Sequence, residues 1–252
     1  MAFWGLLILG LVQGLSEFLP ISSSGHLLLL GKIFGITDSI FVSIFLHVAT
    51  LLSILVVFRK EIWYMICHPF SKETISLCLA TIPTCIIALV LLPLVKKSFN
   101  GQFLYISFLI SAILLLFVHF YTKKHKNHGF TLKNALIMGV AQGFAVFPGV
   151  SRSGTTISAG LISGGDKSEC AKFSFLLSIP IILASMAGEI FEVCQSGQTL
   201  SFSPLGLVLG FVIAFVSGLF SIKFMMRVTE KANFMWISGY LIMIAILAKI
   251  VM

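Results

Sequence analysis

Two short stretches hold most of the chemistry available to this chain. The first, VQGLSEFLPISSSGHLLLLG at residues 12–31, sets Glu17, Ser22, Ser23, Ser24 and His26 among apolar neighbours. The second, AQGFAVFPGVSRSGTTISAG at 141–160, places Arg152 between Ser151 and Ser153, with Gly154 and Thr155 behind them. A cation at membrane depth must be answered by an anion. The planar fork of Arg152 suits phosphate oxygens, which it can grip bidentately. Small hydroxylated residues and close backbone N–H groups at a helix start complete an anion site. A structural ion pair with Glu17 is the competing reading of Arg152.

Gln13 and Glu17 are spaced i, i+4 and project from one helical face. A carboxylate in lipid surroundings reads as a base or a metal ligand. A serine hydroxyl becomes a nucleophile only beside a group that takes its proton. Glu17 and His26 both lie within a few residues of Ser23 and can serve. The plainer alternatives are a helix-packing role for Ser23 and a satisfied buried imidazole for His26. His47, in FLHVATLL, either lines the same cavity or bonds a neighbouring helix.

The elements that must position these groups are membrane helices. The chain has 252 residues, 58% hydrophobic and only 10% charged, whereas soluble domains carry about 25% charged residues. Six apolar runs, at 40–58, 74–94, 102–122, 173–191, 205–222 and 233–250, approach or reach the length needed to cross a bilayer. No basic n-region or small-residue cleavage site marks a removed signal peptide. The five cysteines show no CxxC spacing and suggest neither zinc nor a disulfide framework. The histidines other than His26 form no i, i+4 ligand pair, so no metal site is specified. No GxxxxGK[ST] loop is present, so ATP is not expected as a driver. The net charge of +8 is gathered in short loops, which points to topology and lipid headgroups and away from nucleic acid.

Set 129 residues apart, the two polar stretches match at Gln13/Gln142, Gly14/Gly143, Phe18/Phe147, Ser22/Ser151, Ser24/Ser153 and Gly25/Gly154. This reads as an internal duplication within one membrane domain, with repeat 1 at 1–122 and repeat 2 at 131–252. Each copy is broken by Pro, Gly and Ser, and broken backbone at membrane depth must be buried in protein or line a wet cavity. Each is therefore expected to be a re-entrant helical hairpin followed by three full spans. An odd number of spans inverts the second copy relative to the first.

Loops at 59–73, 123–134, 163–172 and 223–232 collect 12 Lys and Arg residues, against 4 on the other side. The richer side is expected to be cytoplasmic. The first hairpin then enters from outside and the second from the cytoplasm, and they meet near the midplane. The expected fold is an all-α polytopic bundle with an inverted-topology repeat, about six full spans and two re-entrant hairpins.

QGLSEFLPISSSGH and PGVSRSGTT resemble the two signature segments of the undecaprenyl-pyrophosphate phosphatase family, also called bacitracin-resistance proteins. The resemblance covers the chain in length, repeat spacing and hydropathy. It implies removal of one phosphate from the undecaprenyl pyrophosphate carrier, recycling it for peptidoglycan and other wall polymers. It also implies residence in the bacterial cytoplasmic (inner) membrane, with the active site opening to the extracytoplasmic face.

By position, Glu17, Ser23, His26 and Arg152 become the catalytic set. Gln13, Ser22, Ser24, Gly25, Ser151, Ser153, Gly154 and Thr155 become substrate contacts. Gln13 falls where the family takes Glu or Gln, which leaves base work more heavily on Glu17. On this reading Arg152 and the N–H groups of 153–155 hold the pyrophosphate, and Ser23 attacks the terminal phosphorus. Glu17 or His26 accepts its proton, and the other helps the leaving group or activates water. His26 as nucleophile is the alternative. Mg²⁺ or Ca²⁺ is expected only as a companion of the pyrophosphate, since the carboxylates are too few for a dedicated site. The prenyl chain would lie in apolar grooves between helices. A homodimer is left open by the residues. The competing class is a secondary transporter or flippase for a lipid phosphate or other anion, because inverted repeats with broken helices suit such carriers.

Overall fold

A computed structural model describes residues 3–34, 40–125, 129–196 and 203–252, and all of the secondary structure in them is helical. The chain runs α1 (Phe3–Phe18), α2 (Ser23–Phe34), α3 (Ile40–Val57), α4 (Arg59–Cys67), α5 (Lys72–Ser98) and α6 (Leu104–Lys124). It continues through α7 (Leu132–Phe144), α8 (Arg152–Ile162), α9 (Lys167–Ser196), α10 (Pro204–Lys231) and α11 (Met235–Val251). α5, α6, α9 and α10 are long and apolar enough to cross a membrane. α3 and α4 together form a fifth candidate, bent by 77°. α11 has 17 residues, the lower limit for a span at ~1.5 Å per residue. The chain is thus a polytopic all-α membrane protein. Its exposed apolar side chains, such as Leu89, Val90, Phe117 and Phe220, are what lipid requires of an outer surface.

Several expected loops are helix. Residues 59–67, read as loop from the charges in FRKE, form α4, and the bend before it is pinned by buried Phe58 packing on Phe175. α9 and α10 extend through Lys167–Lys172 and Lys223–Lys231, where the charge pattern predicts loop. Polar residues of good helix propensity continue a span beyond the hydrocarbon at little cost. The helices therefore outrun their apolar windows.

The packing pairs α1 with α10 and, correspondingly, α7 with α5. α6 packs on α11, α3 on α10 and α5 on α9, while α8 touches α6 and α2 touches α11. The close pairs rest on glycine. A Cβ at Gly10 would collide with the Gly210 carbonyl oxygen, and one at Gly139 with that of Ala80. Small residues let membrane helices approach backbone to backbone.

These contacts also fix direction. α1 runs parallel to α10, with Leu6 beside Gly206 and Gly14 beside Ala214 and Gly218. α7 likewise follows α5, with Gly139 beside Ala80 and Gly143 beside Ile87. The turn before α9 joins the start of the second half through Asp166 N–H to the Gly129 carbonyl oxygen at 2.8 Å. Lys172 meets Glu61 at 3.6 Å and His119 Nδ1 lies 3.1 Å from the Ala232 carbonyl oxygen, so the end of α10 and the start of α7 share one face of the bundle. α1 begins at the other end of α10. The two hairpins enter from opposite faces.

Candidate active site

Each hairpin breaks where its sequence forbids a continuous helix. Pro20 lacks an N–H and disfavours helical geometry at Leu19, so α1 stops at Phe18. The chain then turns through Ser22 at φ 67°, a left-handed conformation costing a non-glycine residue about 1–2 kcal/mol. In the second hairpin the turn runs through Pro148 and Gly149 at φ 89°. Ser151 caps α8 by accepting the Gly154 N–H at 3.1 Å. Ser22 stands in the matching place and its Oγ lies 3.4 Å from the Gly25 nitrogen.

The two turns are sewn together. Ser22 Oγ accepts the Gly149 N–H at 3.1 Å, and Ser153 Oγ donates to the Leu19 carbonyl at 3.1 Å. A serine from each hairpin therefore satisfies a backbone group freed by the break in the other, as hydrocarbon surroundings demand. Gly25 and Gly154 serve this closure. A Cβ on Gly25 would stand 2.7 Å from Gly149 Cα, and one on Gly154 3.0 Å from Pro20 Cβ. Ser151 N–H donates to Ser111 Oγ at 2.9 Å, which ties the second turn to α6. Ser24 Oγ lies 3.4 Å from Ser22 Oγ, and Thr155 is half-buried in the first turn of α8.

This closure brings Arg152 against Glu17. Arg152 Nη2 donates to Glu17 Oε1, and Ser23 Oγ donates to Oε2 at 2.5 Å. Gln13 Nε2 donates to the same Oε2 at 3.1 Å, across one helical turn. The ion pair read as the alternative for Arg152 is present. The Arg152 side chain is nevertheless about 21% exposed beside a Glu17 side chain that is 2% exposed, so open space reaches the cation more than the anion. That space is a cavity lined by Glu17, Phe18, Arg152, Ser153, Ser174, Phe175 and Ser178. Among the described residues, no three His, Cys, Asp or Glu side chains converge to hold a metal ion. Both Glu17 oxygens already carry hydrogen bonds.

His26 lies elsewhere than the motif suggests. Its Nδ1 is 2.8 Å from the Ser22 carbonyl oxygen and its Nε2 is 2.7 Å from the Tyr240 hydroxyl. The Tyr240 ring stacks parallel to it at 5.7 Å and Phe108 meets it edge-on at 5.3 Å. A carbonyl only accepts, so Nδ1 carries the hydrogen and Nε2 accepts from tyrosine. Both nitrogens are committed, one of them to the turn that aims Ser23.

Sequence reasoning missed three neighbours. Tyr240 stands 214 positions from its partner and carries no local signal. Ser174 and Ser178, spaced i, i+4 in FSFLLS, look like ordinary serines of a span; their shared face was the available clue. Ser174 Oγ bonds Thr156 Oγ1 of α8, and Ser178 Oγ donates to the Phe175 carbonyl at 2.7 Å. His47 Nε2 approaches Glu17 Oε2 of the neighbouring helix α1 to 3.8 Å, while the side chain is not part of the cavity wall.

Chemically, the cluster offers a hydroxyl already bonded to a carboxylate, a cation at the cavity wall and two helix N-termini. That set suits attack on an anionic centre. The chain is similar over most of its length to proteins of one kind. The undecaprenyl-diphosphatase of Carboxydothermus hydrogenoformans is 40% identical over 238 residues, covering 93% of this chain and 91% of that one. That of Halothermothrix orenii is 38% identical, covering 99% and 100% of the two chains, and that of Treponema denticola 38%, covering 96% and 94%. The family model described as bacitracin resistance protein BacA matches residues 6–247, spanning both hairpins and all the helices that hold them. With its two polar turns, their spacing and its relatives in agreement, this chain belongs to the bacitracin resistance protein BacA family.

Proposed function

We propose that the chain is an integral-membrane phosphatase that hydrolyses undecaprenyl pyrophosphate to the monophosphate and inorganic phosphate, with Ser23 as nucleophile and Glu17 as its base. The observation that carries this reading is the 2.5 Å bond from Ser23 Oγ to Glu17 Oε2, with Arg152 on the other oxygen of the same carboxylate. A hydroxyl so placed needs only to pass its proton along an existing hydrogen bond when it attacks phosphorus. Arg152, at the cavity wall, turns its remaining donors to the phosphate oxygens and neutralises the charge that develops on them.

The two nitrogens of His26 favour a positioning role. Held by Tyr240, it bonds the Ser22 carbonyl and keeps the left-handed turn that presents Ser23. Gln13 orients Glu17, and Ser22, Ser24, Ser151, Ser153, Gly154 and Thr155 build the N-terminal turns of α2 and α8 around the phosphate. A divalent ion, Mg²⁺ or Ca²⁺, would arrive on the pyrophosphate. The two halves, 1–122 and 131–252, are read as copies of one unit. The basic loops are read as cytoplasmic, in the bacterial inner membrane, with the site opening to the extracytoplasmic face.

The test is phosphate release from undecaprenyl pyrophosphate by the protein purified in detergent. Wild type should release phosphate, and Ser23→Ala and Glu17→Gln should lose about 10²-fold or more. A carrier releases none in this assay, and that result would end the phosphatase reading.

A further inference from the structure

His47, on α3, brings an ionisable group to the site from outside both hairpins. Its Nε2 lies 3.8 Å from Glu17 Oε2, and its side chain is 21% exposed. Nδ1 lies 2.8 Å from the Ser43 carbonyl oxygen, with Ser43 Oγ also at 3.4 Å. The carbonyl fixes the hydrogen on Nδ1, so the neutral ring presents its Nε2 lone pair toward the carboxylate. A separation of 3.8 Å is too long for a hydrogen bond, so Glu17 does not take up the Nε2 lone pair.

The reaction proposed above requires such a group. In its first step Ser23 Oγ bonds to the terminal phosphorus and the bridging P–O bond breaks. The prenyl monophosphate leaves with that electron pair, and the Ser23 proton moves to Glu17. A phosphate monoester is a stable anion near neutral pH and need not take the proton. Glu17 is then a neutral acid, unable to accept a second one. The water that must cleave phosphorylated Ser23 has to lose its proton to another base, and both nitrogens of His26 are engaged by Ser22 and Tyr240.

We propose that His47 is the general base of this second half-reaction, a catalytic residue supplied by α3. Its Nε2 takes a proton from the water whose oxygen bonds to phosphorus. As the Oγ–P bond breaks, Glu17 returns its proton to Ser23 Oγ, and inorganic phosphate departs. His47 then gives its proton to solvent, and every group regains its starting form. The proposal rests on the reading of the chain as a serine-dependent pyrophosphate hydrolase.

The experiment uses the full chain in detergent and undecaprenyl pyrophosphate radiolabelled in its terminal phosphate, quenched at short times. Prenyl monophosphate, free phosphate and protein-bound label are followed together. His47→Gln keeps a polar side chain but cannot take a proton. It should give a burst of monophosphate at a rate within a few-fold of wild type and accumulate labelled protein. Free phosphate should then appear about 10²-fold more slowly. In His47→Ala, added imidazole should restore part of the lost phosphate release, which a packing defect would not allow.

Free phosphate released by His47→Gln within a few-fold of wild type overturns the proposal. So does a joint loss of burst and turnover that imidazole fails to rescue. No phosphate release by the wild type would instead remove the phosphatase reading, and full turnover by Ser23→Ala would remove the covalent step together with the role of His47.

Discussion

Replacing Gly25 by alanine adds one methyl group at the point where the two hairpins cross. That carbon would stand 2.7 Å from Gly149 Cα, 2.9 Å from Gly149 N and 2.7 Å from Phe108 Cζ. Two of these neighbours are backbone and cannot rotate aside. Reaching an ordinary 3.4 Å contact requires the tips to part by about 0.7 Å. The Gly149 N–H bond to Ser22 Oγ, now 3.1 Å, would open beyond hydrogen-bonding range. Overpacking costs about 1–3 kcal/mol and the lost bond about 1 kcal/mol more. Arg152, at the head of α8, would retreat from Glu17 by a similar fraction of an ångström, and a misplacement of ~1 Å costs about 10²-fold in rate. We therefore expect phosphate release to fall about 10- to 100-fold, with a measurable drop in the detergent melting temperature. Gly188→Ala, where a new Cβ meets nothing within 4 Å, is the matched control and should retain activity and stability. Wild-type turnover and melting in Gly25→Ala would show that the tips do not close as described.

Other expectations follow from the same contacts. Arg152→Ala should lower kcat by about 10² or more, the loss usual for a transition-state charge partner. Arg152→Lys should recover only part of it, because a single ammonium cannot reproduce the fork; equal rates for Lys and Arg would refute bidentate binding. Tyr240→Phe leaves the buried Nε2 of His26 without its donor, at a cost of about 1–3 kcal/mol. Its kcat should fall while KM holds, and an unchanged kcat would detach Tyr240 from Ser23. Ser178→Ala, at the cavity wall, should raise KM a few-fold without moving the melting temperature; an unaltered KM would take that wall off the substrate path.

The hairpins were legible because polar residues stand out in hydrocarbon, and because Pro20 and Pro148 cannot continue a helix. Their entry from opposite faces was legible from the odd number of spans that follows each one. The 59–67 segment misled because Arg59, Lys60 and Glu61 read as a loop by polarity, although their intrinsic propensity is helical and Phe58 anchors the bend. Proximity in sequence likewise suggested that His26 serves Ser23 directly. Three residues of helix turn its ring toward α11 instead, where Tyr240 waits. The serines of α9 share one helical face, but only the packing of α8 against them distinguishes them from packing serines. What one sequence states well is where polarity interrupts a membrane helix. Which distant side chain answers it is decided by helix packing and has no local mark.

The exchange of serines between the two turns has a consequence for how the molecule is built. Until Ser22 reaches Gly149 and Ser153 reaches Leu19, each half-inserted loop carries bare peptide groups that oil cannot solvate. The first half alone lacks the Ser153 hydroxyl that donates to the Leu19 carbonyl, and the second half lacks the Ser22 hydroxyl that accepts the Gly149 N–H. Docking of the second loop on the first therefore satisfies both sets of groups in a single step.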